Sequence, residues 1–277
     1  MTAATAGFTP RERGSMLTRI GRQVRGQAPA IAVFFTVLIG WEAFVAMANL
    51  QQFILPRPSA IATALADDWT ILSTAAGNTL YEALGGLAIG VTAGVLTAFA
   101  VSRWARLRDA VLPIAIGASA VPIIAAAPIM SNWFGILNPF AKMAIVILLT
   151  YFPMLISVSR GLTQVDPATL ELMEASAASE WQVLRKVRIP NALPYFFTAL
   201  KVCTTLSLIG AVVAEYFGGS TEVLGRVIVQ SSSRLRFDIT WAAIAIAAIS
   251  GIVMYLVALV VERLVIPWHA SQRSREP

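Results

Sequence analysis

The chain has 277 residues, of which 57% are hydrophobic and only 13% charged, and its mean hydropathy is +0.72. Soluble domains average about 25% charged residues, so an ordinary water-soluble fold is excluded. The net charge of +6 does not indicate nucleic acid, because the basic residues gather at the ends of apolar runs.

Residues 1–27 are polar and carry Arg11, Arg13, Arg19, Arg22 and Arg25. Met16, Leu17, Ile20 and Val24 lend this arm some amphipathic character, which suits an anionic membrane surface, and a merely disordered arm fits the pattern equally. No small-residue cleavage site follows the first apolar run, which therefore reads as a retained helix rather than a signal peptide. Six membrane helices are expected, at about 28–48, 77–101, 110–131, 139–158, 193–216 and 240–262. The stretches 83–102, 110–141, 143–159 and 239–261 contain no charged residue. They far exceed the roughly 10 residues of a barrel strand and approach or pass the roughly 20 of a spanning helix.

Between the first two spans, Pro56 and Pro58 break any helix, and Ile61, Leu65 and Trp69 then repeat at helical spacing. That spacing predicts a short helix at the membrane interface. In the second span Gly86, Gly90 and Gly94 recur every four residues, the small-residue pattern of closely packed helices. The third span holds Pro113, Pro122 and Pro128, each able to kink it. The semi-polar segment 217–239 suggests a loop with a short helix dipping toward the membrane. Counting Lys and Arg by segment puts 15 of the 21 on the side of both termini, which orients both termini to the cytoplasm.

One polar block interrupts this pattern. Asp166 precedes Pro167 and can cap a helix. Leu170, Met173 and Ala177 share one face, while Glu171, Glu174 and Glu180 are polar. Trp181, Leu184 and Val187 continue an apolar stripe before Pro190 and Pro194. A rigid amphipathic helix between two spans can transmit a push. An ordinary interfacial helix would share this pattern.

The block ELMEASAASEWQVLRKVRIP (171–190) resembles the EAA loop of ABC importer permeases, the membrane subunits of binding-protein-dependent transporters. Glu171-Leu172-Met173 takes the Glu-Ala-Ala place, Ala177 the glycine place, and Ile189-Pro190 closes the motif. The flanking VDPATLELMEASAASEWQVLRKVRIPNALPYFFTALKV, the later LIGAVVAEYFGG and the upstream VPIIAAAPIMSNWFG are similar to the nitrate/sulfonate/taurine branch. The resemblance covers about residues 50–265.

It implies an all-α membrane protein with the type I importer permease fold. The organisation would be a cytoplasmic arm (1–27), a permease domain (28–265) with its coupling loop at 166–190, and a cytoplasmic tail (266–277). Implied partners are two ATP-binding cassette subunits, a second and identical permease chain, a substrate-binding protein and the inner-membrane bilayer. Glu171 and Glu174 would meet the ATPase, with Ala177, Ala178 and Ser179 at the close-packed turn and Pro190 closing the loop. Alanine in the glycine place implies ordinary helical geometry at 177. No G-x-x-x-x-G-K-[ST] occurs, so ATP and magnesium would belong to the partner ATPase and the chain would be no enzyme.

Intramembrane charges mark cavities or partners. Glu42, Glu82, Lys201 and Glu215 are such charges, and interhelical pairing explains them as readily as a path does. Glu215, Lys201, Thr204, Ser207, Met130 and Trp133 are the candidates for a translocation path. Serine and threonine also satisfy their own helix backbone. Cys203 is the single cysteine and His269 the single histidine, so neither a disulfide nor a metal site is expected. Substrates within the resembled branch include nitrate, sulfonates, taurine, riboflavin and thiamine-pyrimidine precursors. The sparsely charged path leans toward a planar heterocycle. A secondary transporter often shows an internal inverted repeat, and no convincing one is present; a scaffold or an intramembrane enzyme would leave the polar block without a purpose.

Overall fold

The structure is a computed structural model and describes residues 16–267. His269, the first half of the arm and most of the tail lie outside the described residues. The described chain is all-helical, with no strand.

Among the described residues four helices are long and apolar enough to cross a membrane. They are α3 (Trp69–Ser102), α6 (Pro139–Thr163), α11 (Phe237–Val265), and α9 (Ile189–Tyr216) with the turns leading into it from Glu180. α1 (Met16–Met47) runs across the expected boundary between arm and first span and contains Pro29. Its apolar part, Ala32–Met47, is shorter than the other spans.

The expected third span is broken rather than kinked. α4 (Ala105–Ser119) stops before Pro122, a 3₁₀ turn covers Ile123–Ala126, and α5 (Ala127–Phe134) follows with Pro128 in its first turn. A proline restricts the residue before it to extended conformations and cannot donate its own hydrogen bond. Pro113, Pro153 and Pro194 are carried inside helices.

α2 (Pro58–Asp67) is the predicted short helix, with Pro58 at its start. Ile61 and Leu65 pack inward from it, whereas Trp69 opens α3 instead. Glu42, expected as an intramembrane charge, lies five residues from the end of α1. Its carboxylate accepts from the N–H and hydroxyl of Ser59, at 3.0 and 2.8 Å, and so caps α2. Trp41 and Trp241 meet edge to face at 5.3 Å, joining α1 to α11.

The core is the α3–α6–α9 stack. Gly86, Gly90 and Gly94 give α6 its close approach to α3. A Cβ at Gly86 would sit 2.5 Å from Val146 Cβ, and one at Gly94 would sit 2.9 Å from Tyr151 O. Buried Leu155, Val158, Leu162, Ala199 and Cys203 fill the polar-block half of this stack, and Ala83, Val146, Leu208 and Ala211 the other half. At the far end α10 (Leu224–Ser233) lays Leu224, Val227 and Ile228 against α2, α3 and α11.

Candidate functional site

Two polar constructions stand at opposite ends of the helical stack. The first is the polar block. Asn191 ties the end of α6 to the start of α9, its Nδ2 donating to Gly161 O (2.8 Å) and Gln164 O (3.0 Å). Everything between is thereby held as a closed excursion.

α7 (Pro167–Ala175) begins with Asp166 as its cap, which accepts from Ala168 N–H and from the Thr169 hydroxyl, both at 3.3 Å. Its C-terminus is a Schellman turn. The N–H of Ala178 donates to Met173 O (3.0 Å) and that of Ala177 to Glu174 O (2.8 Å). This turn requires a left-handed residue at the position after the cap, and Ala177 has φ 49°. The expectation of ordinary helical geometry at 177 is therefore overturned. Two carbonyls at the helix end need donors, and the turn that supplies them sets the sign of φ whatever the side chain.

Ser179 then caps α8 (Glu180–Val183) through a reciprocal box with Gln182, at 2.8 and 3.3 Å. A π-turn over Leu184–Arg188 leads into α9, with Ile189 N–H donating to Leu184 O. Pro190 sits in the first turn of α9, where a missing N–H costs little. No residue of α7 or α8 is buried. Glu171, Leu172 and Glu174 are exposed, as are Ala177 and Ser179, with Ala178 half-covered. Trp181, expected on the apolar stripe with Leu184, is also exposed, whereas Leu184 packs on the core.

The second construction lies at the far end. α10 has no cap of its own at Val223, and a helix start leaves orphan N–H groups. Distant residues serve instead. Thr79 Oγ1 of α3 accepts from Leu224 N–H (2.9 Å), and Glu215 Oε2 of α9 accepts from Gly225 N–H (2.6 Å). Asn78 Nδ2 donates to Glu222 O at 2.7 Å. Lys142 is buried in the first turn of α6 and donates from Nζ to Ile136 O. It lies beside Glu82 and Glu215, which are themselves buried.

Gly218 and Gly219, with φ of 140° and 142°, carry the chain over this cluster. A Cβ on Gly219 would come within 3.0 Å of Lys142 Nζ. One oxygen of each carboxylate, Glu82 Oε2 and Glu215 Oε1, has no hydrogen-bond partner among the described residues. Sequence singled out Glu82 and Glu215 but missed Lys142. The available signal was a lone charge between two apolar runs.

The six path candidates are not gathered in one place. Met130 packs near Ala214, next to Glu215. Trp133 is exposed. Thr204 and Ser207 are buried, and their hydroxyls turn back onto α9, to Lys201 O (2.8 Å) and Thr204 O (2.9 Å). Lys201 pairs with Glu262 at 2.7 Å near the polar-block end. Glu262 closes the last apolar run and was not singled out. Among the described residues no group of three or more His, Cys, Asp or Glu could hold a metal ion.

Comparison with known proteins places this architecture. The family described as "Binding-protein-dependent transport system inner membrane component" matches residues 90–268. A probable ABC transporter permease protein of Haemophilus influenzae is 30% identical over 233 residues, 84% of this chain and 94% of that one. A riboflavin transport system permease protein of Chloroflexus aurantiacus is 29% identical over 267 residues, covering 92% and 98%. A formylaminopyrimidine transport permease protein of Halalkalibacterium halodurans is 29% identical over 240 residues, covering 86% and 95%. In structure the chain is similar to an amino acid ABC transporter solved with histidines, with a TM-score of 0.60 and 15% identity, over 73% of this chain and 98% of that one. That likeness concerns the fold. With the all-helical stack and its apolar spans, these matches identify a membrane permease: the chain belongs to the inner-membrane component family of binding-protein-dependent transport systems.

Proposed function

We propose that this chain is the translocating permease subunit of an ATP-driven importer for a small organic solute. The observation that carries the reading is α7. It is capped at both ends, and Asn191 ties together the two helices that flank its loop, yet it buries none of its residues within the chain. A short helix stabilised so carefully and left uncovered suits a surface that docks another subunit.

In this reading Glu171, Glu174, Ala177, Ala178 and Ser179 form the contact with an ATP-binding cassette subunit, and Pro190 marks where the contact passes into α9. Two such subunits act on two identical permease chains, and a binding protein delivers solute to the far side. Both termini and the polar block face the cytoplasm of a bacterial inner membrane, as the basic residues favour. ATP and magnesium are held by the partner. Glu215, Lys201, Thr204, Ser207, Met130 and Trp133 belong to the path or its support. A planar heterocycle, such as a pyrimidine precursor or riboflavin, is favoured as solute over sulfonate, taurine or nitrate. The riboflavin and formylaminopyrimidine permeases support this ordering, being 29% identical, against 27% for the putative aliphatic sulfonates permease and 25% for the taurine permease of Escherichia coli.

The test is co-purification. The chain, extracted gently from its native membrane, should bring a nucleotide-hydrolysing subunit with it, and Glu171→Arg should weaken that association. Recovery of the chain alone, or of an unchanged complex with the variant, would favour an ion-driven carrier or a scaffold.

A further inference from the structure

A cavity of about 570 Å³ lies where α3 ends, α4 begins and the π-turn enters α9. Three arginines line it from three separate elements: Arg103 after α3, Arg108 on α4 and Arg188 on the π-turn. Glu180 is the one carboxylate in the lining. Its pair with Arg103, at 2.7 Å, is exposed on both sides and so holds weakly. Arg108 is half-buried and bonds its neighbour Asp109 at 3.0 Å. Arg188 is half-buried and has no ion pair among the described residues. Exposed Arg106, Arg185 and Lys186 add to the positive field.

Apart from Ser102, the rest of the lining is apolar. Phe99 and Leu184 also pack on the hydrophobic core, and Val183 joins them, with Trp181 at the rim. α3 has 34 residues, about 51 Å at 1.5 Å per residue, enough to span a bilayer with its headgroups. Its last turn, which supplies Phe99 and Ser102, therefore lies at headgroup depth.

We infer that this cavity binds a phosphate-bearing anion, supplied by an anionic phospholipid of the surrounding leaflet. Guanidinium forks match phosphate oxygens in paired hydrogen bonds, and basic pockets at helix ends hold lipid headgroups. The apolar floor favours lipid over a free anion, because it can receive the glycerol and first acyl carbons. The cavity shares Ala178, Glu180 and Trp181 with the polar block, so an occupant braces that block against α3 and α4. The site stands on these residues whatever solute is carried.

Trp181 supplies the readout. The full chain in neutral detergent is titrated with bromine-labelled phosphatidylglycerol or phosphatidylcholine, and quenching is taken as wild type minus Trp181→Phe. Phosphatidylglycerol should half-quench at a concentration roughly tenfold lower than phosphatidylcholine. In the Arg108→Gln/Arg188→Gln variant the two lipids should become equivalent, and millimolar inorganic phosphate should not displace phosphatidylglycerol from wild type. Equal quenching by the two lipids in wild type overturns the proposal without recourse to any variant. Displacement by inorganic phosphate overturns the lipid assignment and leaves a small-anion site.

Discussion

The Nζ of Lys201 lies 2.7 Å from Oε2 of Glu262, with little of either side chain exposed. Two charges that would each be costly in hydrocarbon are thus placed together, linking α9 to α11. Their pairing changes what Lys201 can do, because its charge is already answered before any solute arrives.

Removing one partner strands the other. Lys201→Met should destabilise the chain by about 3 kcal/mol, the cost of breaking a buried pair. Lys201→Met/Glu262→Leu should recover most of the loss. Thermal unfolding in detergent, followed by size-exclusion recovery, checks both. A single variant as stable as wild type would mean that water or lipid headgroups solvate Glu262.

Gly90→Ala tests the closest helix contact. Its Cβ would fall 2.1 Å from Thr150 Oγ1 and 2.8 Å from Ile147 O. One neighbour is backbone, so α3 and α6 must part, at about 1–3 kcal/mol or more. Gly77→Ala, on the same helix with open space around it, should be neutral. Comparable unfolding midpoints for the two variants would show that the α3–α6 contact is looser than described.

The long spans were legible because hydrocarbon imposes one crude requirement, an apolar run of sufficient length, and α3, α6, α9 and α11 meet it. The glycine repeat was legible for the same reason, since close helix approach leaves small residues at a fixed spacing. The break before Pro122 was not, because proline is equally compatible with the kinked interiors seen at Pro113, Pro153 and Pro194. Nor was the capping of α10. It depends on Thr79 and Glu215, 145 and 10 residues from the N–H groups that they accept, and periodicity carries no information about such pairs. Ala177 failed for a different reason. Its side chain argued for a helix, but the carbonyls at the end of α7 decided the backbone.

That conflict at Ala177 yields its own prediction. An alanine in left-handed geometry costs roughly 1 kcal/mol that glycine avoids. Ala177→Gly should therefore firm the end of α7, slowing amide exchange at Ala177 and Ala178 several-fold. Ala177→Val should speed it. Unchanged exchange in both variants would mean that the turn opens independently of this residue.

Glu215 separates a structural clamp from a working part of the path. Its Oε2 holds the start of α10 through Gly225 N–H, while the carboxylate also lies beside Lys142. Glu215→Ala leaves that N–H without a partner and Lys142 with one fewer counter-charge, which should cost about 2 kcal/mol and lower the yield of folded chain. Glu215→Gln keeps an acceptor oxygen for Gly225 and removes only the charge, so folding and assembly should survive. If the charge matters to passage, solute uptake by cells relying on this transporter should fall in Glu215→Gln at unchanged protein level. Full uptake in Glu215→Gln beside a collapsed Glu215→Ala would make Glu215 a clamp alone, and the path would then be sought among groups that the lone chain leaves uncovered, Trp133 first.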